Sequence, residues 1–177
     1  MERKDAVTFK GAGLTLLGPD LQIGEKVPLF SVIDNGLKEI AYKDLGRNPK
    51  IISVTPSLDT PVCDAQARRF NIEAAKLPAE FQIINISMDL PFAIGRFCTT
   101  AGIDRIKTFS DYRHAYFGMA YGVMIKELRL LARAIFIIDS HDILRYKEVV
   151  PEMTHEVNFA AALNAAKKLL TGGGTLP

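Results

Sequence analysis

Short apolar runs alternate with Gly- and Pro-punctuated polar stretches over the first half of the chain. Two such runs flank Gly11-Ala12-Gly13 between Val7 and Leu17, which predicts a hairpin, because glycine supplies the positive φ of a tight turn. A polar stretch with Gly24 and Pro28 leads to a strand expected near Phe30–Ile33. Ile51–Val54 follows Pro49-Lys50 as a second strand, and Phe81–Ser87, bounded by Pro78 and Pro91, reads as a third. Downstream, Thr108–Ser110 suits a short strand, Tyr116–Tyr121 a short helix and Ala134–Ile138 a buried strand. Ile143–Val149 then pairs back across the turn at Asp139-Ser140-His141-Asp142. The closing segment, Asn158 to Leu170, has helical apolar spacing and ends at Gly172.

Between the two central strands lies Thr55-Pro56-Ser57-Leu58-Asp59-Thr60-Pro61-Val62-Cys63. Pro56 has no N–H to continue a ladder, so the strand stops there. Thr60 followed by Pro61 has the form of an N-cap followed by the first helical position, where proline's missing donor costs nothing. The helix then runs through Ala65, Ala67, Phe70 and Ile72 to about Lys76, with Cys63 in its first turn. A second helix begins near Pro91, carries Phe92, Ile94, Phe97 and Cys98, and ends at Ala101-Gly102. Strands alternating with helices, and a hairpin-like pair before the last helix, predict an α/β fold with a mixed central sheet flanked by helices.

With 177 residues, 48% of them hydrophobic, the chain has the size of one domain. The segment 172–177, Gly172-Gly173-Gly174-Thr175-Leu176-Pro177, reads as a flexible tail. Lys and Arg number 22 against 20 Asp and Glu, and the basic residues are scattered, so neither a nucleic-acid groove nor a membrane patch is expected. Met1-Glu2-Arg3-Lys4-Asp5 lacks the apolar core of a secretory signal, and no apolar run reaches bilayer length, so a soluble cytoplasmic protein is expected.

Two cysteines are too few for the disulfide framework of a small secreted chain but suffice for one redox couple. Cys63 and Cys98 stand far apart, as do His114, His141 and His155, so neither a metal site nor a cofactor is expected. Both cysteines could equally be small buried hydrophobes, since free cysteine is among the most buried residue types. Local context favours chemistry for Cys63. Only a thiolate is a good nucleophile, and a first-turn position sets the sulfur near free backbone N–H groups and the positive end of the helix dipole.

Attack by a thiolate leaves negative charge on the departing group, which needs donors and a cation to receive it. Thr60, three residues before Cys63, can bring its hydroxyl to the same helix start, although an N-cap threonine needs no catalytic purpose. Arg133, leading into the apolar strand Ala134-Ile135-Phe136, must find a partner or reach solvent. It is the candidate cation, with simple capping of a sheet edge as the competing role. Tyr112, Tyr116 and Tyr121 with Phe109 and Phe117 make an aromatic-rich patch best explained by core packing.

The stretch from Pro56 to Cys63 fits Pro-x-x-x-Thr-x-x-Cys and resembles the peroxiredoxin family. Ser57-Leu58-Asp59-Thr60 with Val62-Cys63, Ser87-Met88-Asp89-Leu90-Pro91-Phe92-Ala93, Arg96-Phe97-Cys98, and Leu131-Ala132-Arg133-Ala134 with Ile137-Ile138-Asp139 resemble in order the blocks of its atypical two-cysteine branch, the bacterial thiol peroxidases. This resemblance covers nearly the whole chain. It implies a thioredoxin fold with an N-terminal β-hairpin, commonly a homodimer, and a hydroperoxide substrate reduced at the expense of thioredoxin. Cys63 would then be the peroxidatic residue and Cys98 the resolving one, joined in an intramolecular disulfide. Pro56 would shield the sulfur, Thr60 orient the peroxide, and Arg133 stabilise thiolate and transition state. One departure is Lys126-Glu127-Leu128-Arg129-Leu130, where the family often has a Gly-containing Leu-Lys-Gly stretch; the loop and the substrate entrance are in question there.

Two other functions fit the same residues. A thiol-disulfide oxidoreductase or peroxide sensor on this fold is weakened by the lack of a Cys-x-x-Cys pair. A non-catalytic module with both cysteines in the core would leave neither thiol reactive toward a small alkylating probe.

Overall fold

The computed structural model describes residues 1–78 and 80–171; the tail expected at 172–177, and with it the helix stop at Gly172, lies outside the described residues. Strand β1 (Glu2–Phe9) pairs antiparallel with β2 (Ala12–Leu17) in the expected N-terminal hairpin. The tip is Lys10-Gly11 rather than Gly11-Ala12-Gly13. Both tip residues have positive φ, 51° and 80°, the conformation whose twist matches that of the flanking strands. Ala12 and Gly13 are already paired, with Phe9 and Thr8.

The main sheet has seven strands. They are β3 (Ser31–Ile33), β4 (Glu39–Ala41), β5 (Lys50–Val54), β6 (Gln82–Ser87), β7 (Lys107–Ser110), β9 (Ala134–Ile138) and β10 (Leu144–Val149), in the spatial order β10-β9-β5-β6-β7-β3-β4. At its centre β5, β6 and β7 run parallel, joined by helices α1 (Pro61–Ala74) and α2 (Pro91–Ala101), as parallel neighbours require a crossover. The flanking pairs are antiparallel. Short helix α3 (Tyr116–Ala120) and strand β8 (Met124–Ile125), which pairs with β2, precede β9, and α4 (Phe159–Thr171) closes the chain. Strands β4 and β8, three and two residues long, carry too short a pattern to be read from sequence.

The central strands read as continuous apolar runs because both faces are covered. Ile51, Ile83, Ile135 and Ile137 face one core with Ala67 and Phe70 of α1, Ile94 of α2, and Ala162 and Ala166 of α4. The alternate residues Ile52, Val54, Ile84, Ile86 and Phe136 face a second core with Val7, Leu14 and Leu16 of the hairpin and Phe117 of α3. Phe117 and Tyr121 pack edge-on to Phe30 and Phe136, whereas Tyr116 leaves this cluster for the surface, stacked on His114. Among the described residues, no helix is long and apolar enough to cross a membrane.

Candidate active site

The site forms where the parallel strands end and the helices begin. After β5, Thr55 still donates its N–H to Ile86, and the buried Pro56 then turns the chain out of the sheet. The following loop is fastened by Asp89. Its carboxylate accepts from Ser57 Oγ (2.6 Å), Leu58 N (2.7 Å) and Ser87 Oγ (2.8 Å), and its carbonyl accepts from Ser110 Oγ. One carboxylate thus joins the loops that precede the two cysteine-bearing helices. Thr60 is the N-cap of α1 in extended conformation, Pro61 the first helical residue and Cys63 the third. The Thr60 side chain does not cap this helix, which leaves first-turn N–H groups available to an anion at the site.

Cys63 is fully buried, and Arg133, only 2% exposed, donates from Nη2 to its sulfur at 3.3 Å. Two further groups hold the guanidinium. The Met153 carbonyl accepts from Nε (3.2 Å) and Nη2 (3.0 Å), and Gln66 Oε1 accepts from Nη1 (2.8 Å). Gln66 is itself oriented by donating from Nε2 to Ser53 Oγ at 2.8 Å. Four of the five guanidinium N–H groups are engaged in these contacts, which leaves one on Nη1. Among the described residues, no carboxylate pairs with Arg133. A buried cation without a counter-ion is costly, so this guanidinium favours negative charge on the groups it touches.

Thr60 is exposed and points its hydroxyl back along the loop, donating to the Ser57 carbonyl at 3.2 Å. Its proton is committed there, which leaves the oxygen lone pairs as acceptors. Cys98 lies in the last turn of α2, half-buried and in different surroundings. Its sulfur is 3.5 Å from Thr108 Oγ1 on β7 and borders a cavity of about 580 Å³ with Asn35 and Lys107. Both cysteines are free thiols. The structure therefore brings Cys63 and Arg133 together, sets Thr60 and Pro56 on the loop leading to the sulfur, and leaves Cys98 with other neighbours.

Gln66 was legible in principle: it is a polar residue on the face of α1 that also carries Cys63, Ala67 and Phe70. The Met153 contribution is a backbone carbonyl and leaves no trace in sequence. Lys126-Glu127-Leu128-Arg129-Leu130 closes a tight loop against β2, with Thr15 N donating to Glu127 Oε2 (2.9 Å) and Lys126 N to Thr15 O (2.9 Å). Arg129 takes φ 54°, a conformation glycine adopts freely, so this stretch makes a left-handed turn without a glycine and at some local strain.

Residues 22–164 match the model of the Redoxin family, and the chain belongs to that family. Its fold is that of the peroxiredoxins, with a thioredoxin-like mixed sheet and an added N-terminal hairpin. A thiol peroxidase from Halalkalibacterium halodurans is 48% identical over 165 residues, covering 93% of this chain and 99% of that protein. One from Bacillus subtilis is 48% identical over 164 residues, covering 93% and 98%. Among solved structures, a peroxiredoxin-like protein from Aquifex aeolicus superposes with a TM-score of 0.86 at 37% identity, covering 93% of this chain and 97% of that one.

Proposed function

We propose that the chain is a peroxidase in which Cys63 reduces a hydroperoxide and Cys98 resolves the product. The reaction class, thiol-dependent reduction of peroxide, is that of the family to which the chain belongs. The observation that carries the residue assignment is the 3.3 Å contact between Cys63 Sγ and a buried guanidinium that has no carboxylate partner among the described residues.

In the first step the Cys63 thiolate attacks the terminal oxygen of ROOH. The S–O bond forms as the O–O bond breaks, and the leaving alkoxide takes a proton to depart as an alcohol, or as water from hydrogen peroxide. Arg133 supplies donors on the developing charge, from Nη2 beside the sulfur and from the remaining Nη1 N–H. Thr60 Oγ, its proton held by Ser57, accepts from the peroxide O–H and orients it. A cavity of about 350 Å³ beside the start of α1 is lined by Leu58, Asp59, Thr60, Pro61, Arg68 and Phe97, and its mixed character suits hydrogen peroxide and alkyl hydroperoxides alike. Buried Pro56 shields the sulfenic acid from water.

In the second step the Cys98 sulfur attacks the Cys63 sulfenic acid, hydroxide leaves as water after protonation, and a disulfide forms. Closure requires Cα atoms within about 7 Å. Cys98 must leave Thr108, so the last turn of α2 and the first turn of α1 unwind in the oxidised form. A dithiol reductant, thioredoxin by family resemblance, restores both thiols. A homodimer is part of the same reading, supported by the exposed apolar side chains Leu29, Tyr116 and Met119 around one groove. A cytoplasmic location fits a pair of free thiols that cycles through a disulfide.

Mass spectrometry after one equivalent of hydrogen peroxide tests the assignment. The expected products are an intramolecular disulfide in the wild type, one added oxygen on Cys63 in Cys98→Ser and no change in Cys63→Ser. Oxidation of Cys98 alone, or a disulfide between chains, would refute it.

A further inference from the structure

The hairpin tip is tied to the segment that holds Arg133, and the tie is Glu152. Its carboxylate accepts from Thr8 Oγ1 (2.8 Å), from the backbone of Lys10 and Gly11 (both 3.1 Å), and from Thr154 N (3.1 Å) and Thr154 Oγ1 (2.9 Å). The left-handed pair Lys10-Gly11 turns two successive N–H groups toward one acceptor, the concavity in which backbone binds an anion. Backbone bonds reinforce the tie: Thr8 donates to the Pro151 carbonyl (2.6 Å), and Met153 donates to the Thr8 carbonyl (2.9 Å).

The consequence comes from one peptide unit. Thr154 N–H and the Met153 carbonyl are the two ends of the same planar amide. At one end the N–H donates to Glu152, and at the other the carbonyl accepts twice from Arg133, which donates to Cys63. Fixing the N–H therefore fixes the direction of the carbonyl, and a negative charge on the N–H end polarises the amide toward the guanidinium. The Gly11 backbone N–H, first among its donors, holds the Glu152 carboxyl well below the usual carboxylate range.

We infer that Glu152 is a positioning residue for peroxide reduction: through the Met153–Thr154 peptide it sets the Arg133 guanidinium on the Cys63 sulfur, and the N-terminal hairpin is the brace that holds it there. This rests on Arg133 acting at Cys63, and the experiment separates the two claims. Sulfenic acid formation, disulfide closure and disulfide reduction by dithiothreitol are timed separately in the wild type, Arg133→Lys, Glu152→Ala, Thr8→Val and the double variant Glu152→Ala/Arg133→Lys. Glu152→Ala is expected to slow sulfenic acid formation about tenfold, since a small displacement of a catalytic group is enough for that. Disulfide reduction by dithiothreitol should stay within about twofold. In the Arg133→Lys background the same change should cost nothing further, because the guanidinium it positions is gone. Thr8→Val, which keeps the backbone ladder and removes one donor, covers the case in which Glu152→Ala fails to fold, with a loss of about threefold expected in the same step alone. Equal losses in both backgrounds, or equal slowing of all three steps, would reduce Glu152 to a structural staple and overturn the inference. An unimpaired Arg133→Lys would instead overturn the site reading on which it stands.

Discussion

Arg133 and Cys63 face each other across 3.3 Å with both side chains buried, and the guanidinium draws its other protein contacts from neutral oxygens, the Met153 carbonyl and Gln66 Oε1. A cation so placed stabilises negative charge on sulfur and on a departing oxygen more strongly than it could in water. Arg133→Lys keeps the charge and loses the planar fork that three acceptors use at once. Peroxide reduction is expected to fall by about 10²–10³-fold, the usual effect of removing one preorganised donor. Stopped-flow kinetics at saturating reductant checks this.

Gln66 orients the guanidinium from the opposite side, bridging Arg133 and Ser53. Gln66→Leu roughly preserves volume and takes the partner from a buried donor, Arg133 Nη1, and from a buried acceptor, Ser53 Oγ. It should destabilise the fold by ~1–3 kcal/mol and slow peroxide reduction about tenfold. Urea denaturation alongside the rate measurement distinguishes the two effects.

Asp89 fastens the loops before α1 and α2 with three hydrogen bonds to its carboxylate. Bonds to a charged acceptor are the stronger kind, so Asp89→Ala should cost ~2–3 kcal/mol of stability. Amide exchange at Leu58 should rise at the same time.

Cys98 sits against Thr108 in the reduced protein, and the proposed Cys63–Cys98 disulfide would take it from that contact and loosen α2. Amide exchange over 93–101 should be faster in oxidised than in reduced wild type, while Cys98→Ser, unable to close the bond, should show no such change. Identical protection in both redox states of the wild type would contradict closure by unwinding.

Asp111 accepts from the N–H groups of Phe117 and Gly118, yet burial prevails and pushes its carboxyl up to about 6. A carboxyl that binds its proton more tightly when folded lowers stability as pH rises from about 4 to 6, and this contribution is favourable only below that window. Glu152 acts in the opposite direction. Its depressed carboxyl adds stability above the ordinary glutamate value that is lost as pH falls below it. Denaturation of the wild type and Asp111→Asn between pH 4 and 7 should show the wild type losing ground to the variant as pH rises, by ~1–3 kcal/mol.

The centre of the sheet was legible because its strands are short apolar runs set off by Pro and Gly, and α1 because Thr60-Pro61 marks a helix start. Cys63 and Arg133 were each legible as candidates: one by its place in a first turn, the other by the problem of an arginine opening an apolar strand. What sequence could not supply was the path between them. Arg133 is held by the carbonyl of Met153, and that carbonyl is aimed by Glu152 from beside a hairpin about 140 residues earlier in the chain. Backbone groups carry no side-chain signature, and contacts this distant have no periodicity to betray them. Likewise, the Thr60 hydroxyl turns toward Ser57 and does not cap its helix, a choice of rotamer that spacing leaves open.

The most direct test of the central claim is stopped-flow consumption of hydrogen peroxide and cumene hydroperoxide by the reduced protein, comparing the wild type with Cys63→Ser and Arg133→Lys. The expected result is rapid consumption by the wild type, none above background in Cys63→Ser and strongly slowed turnover in Arg133→Lys. Wild-type consumption no faster than that of a free thiol, or unaffected by loss of Cys63, would contradict peroxide reduction at the Cys63–Arg133 pair.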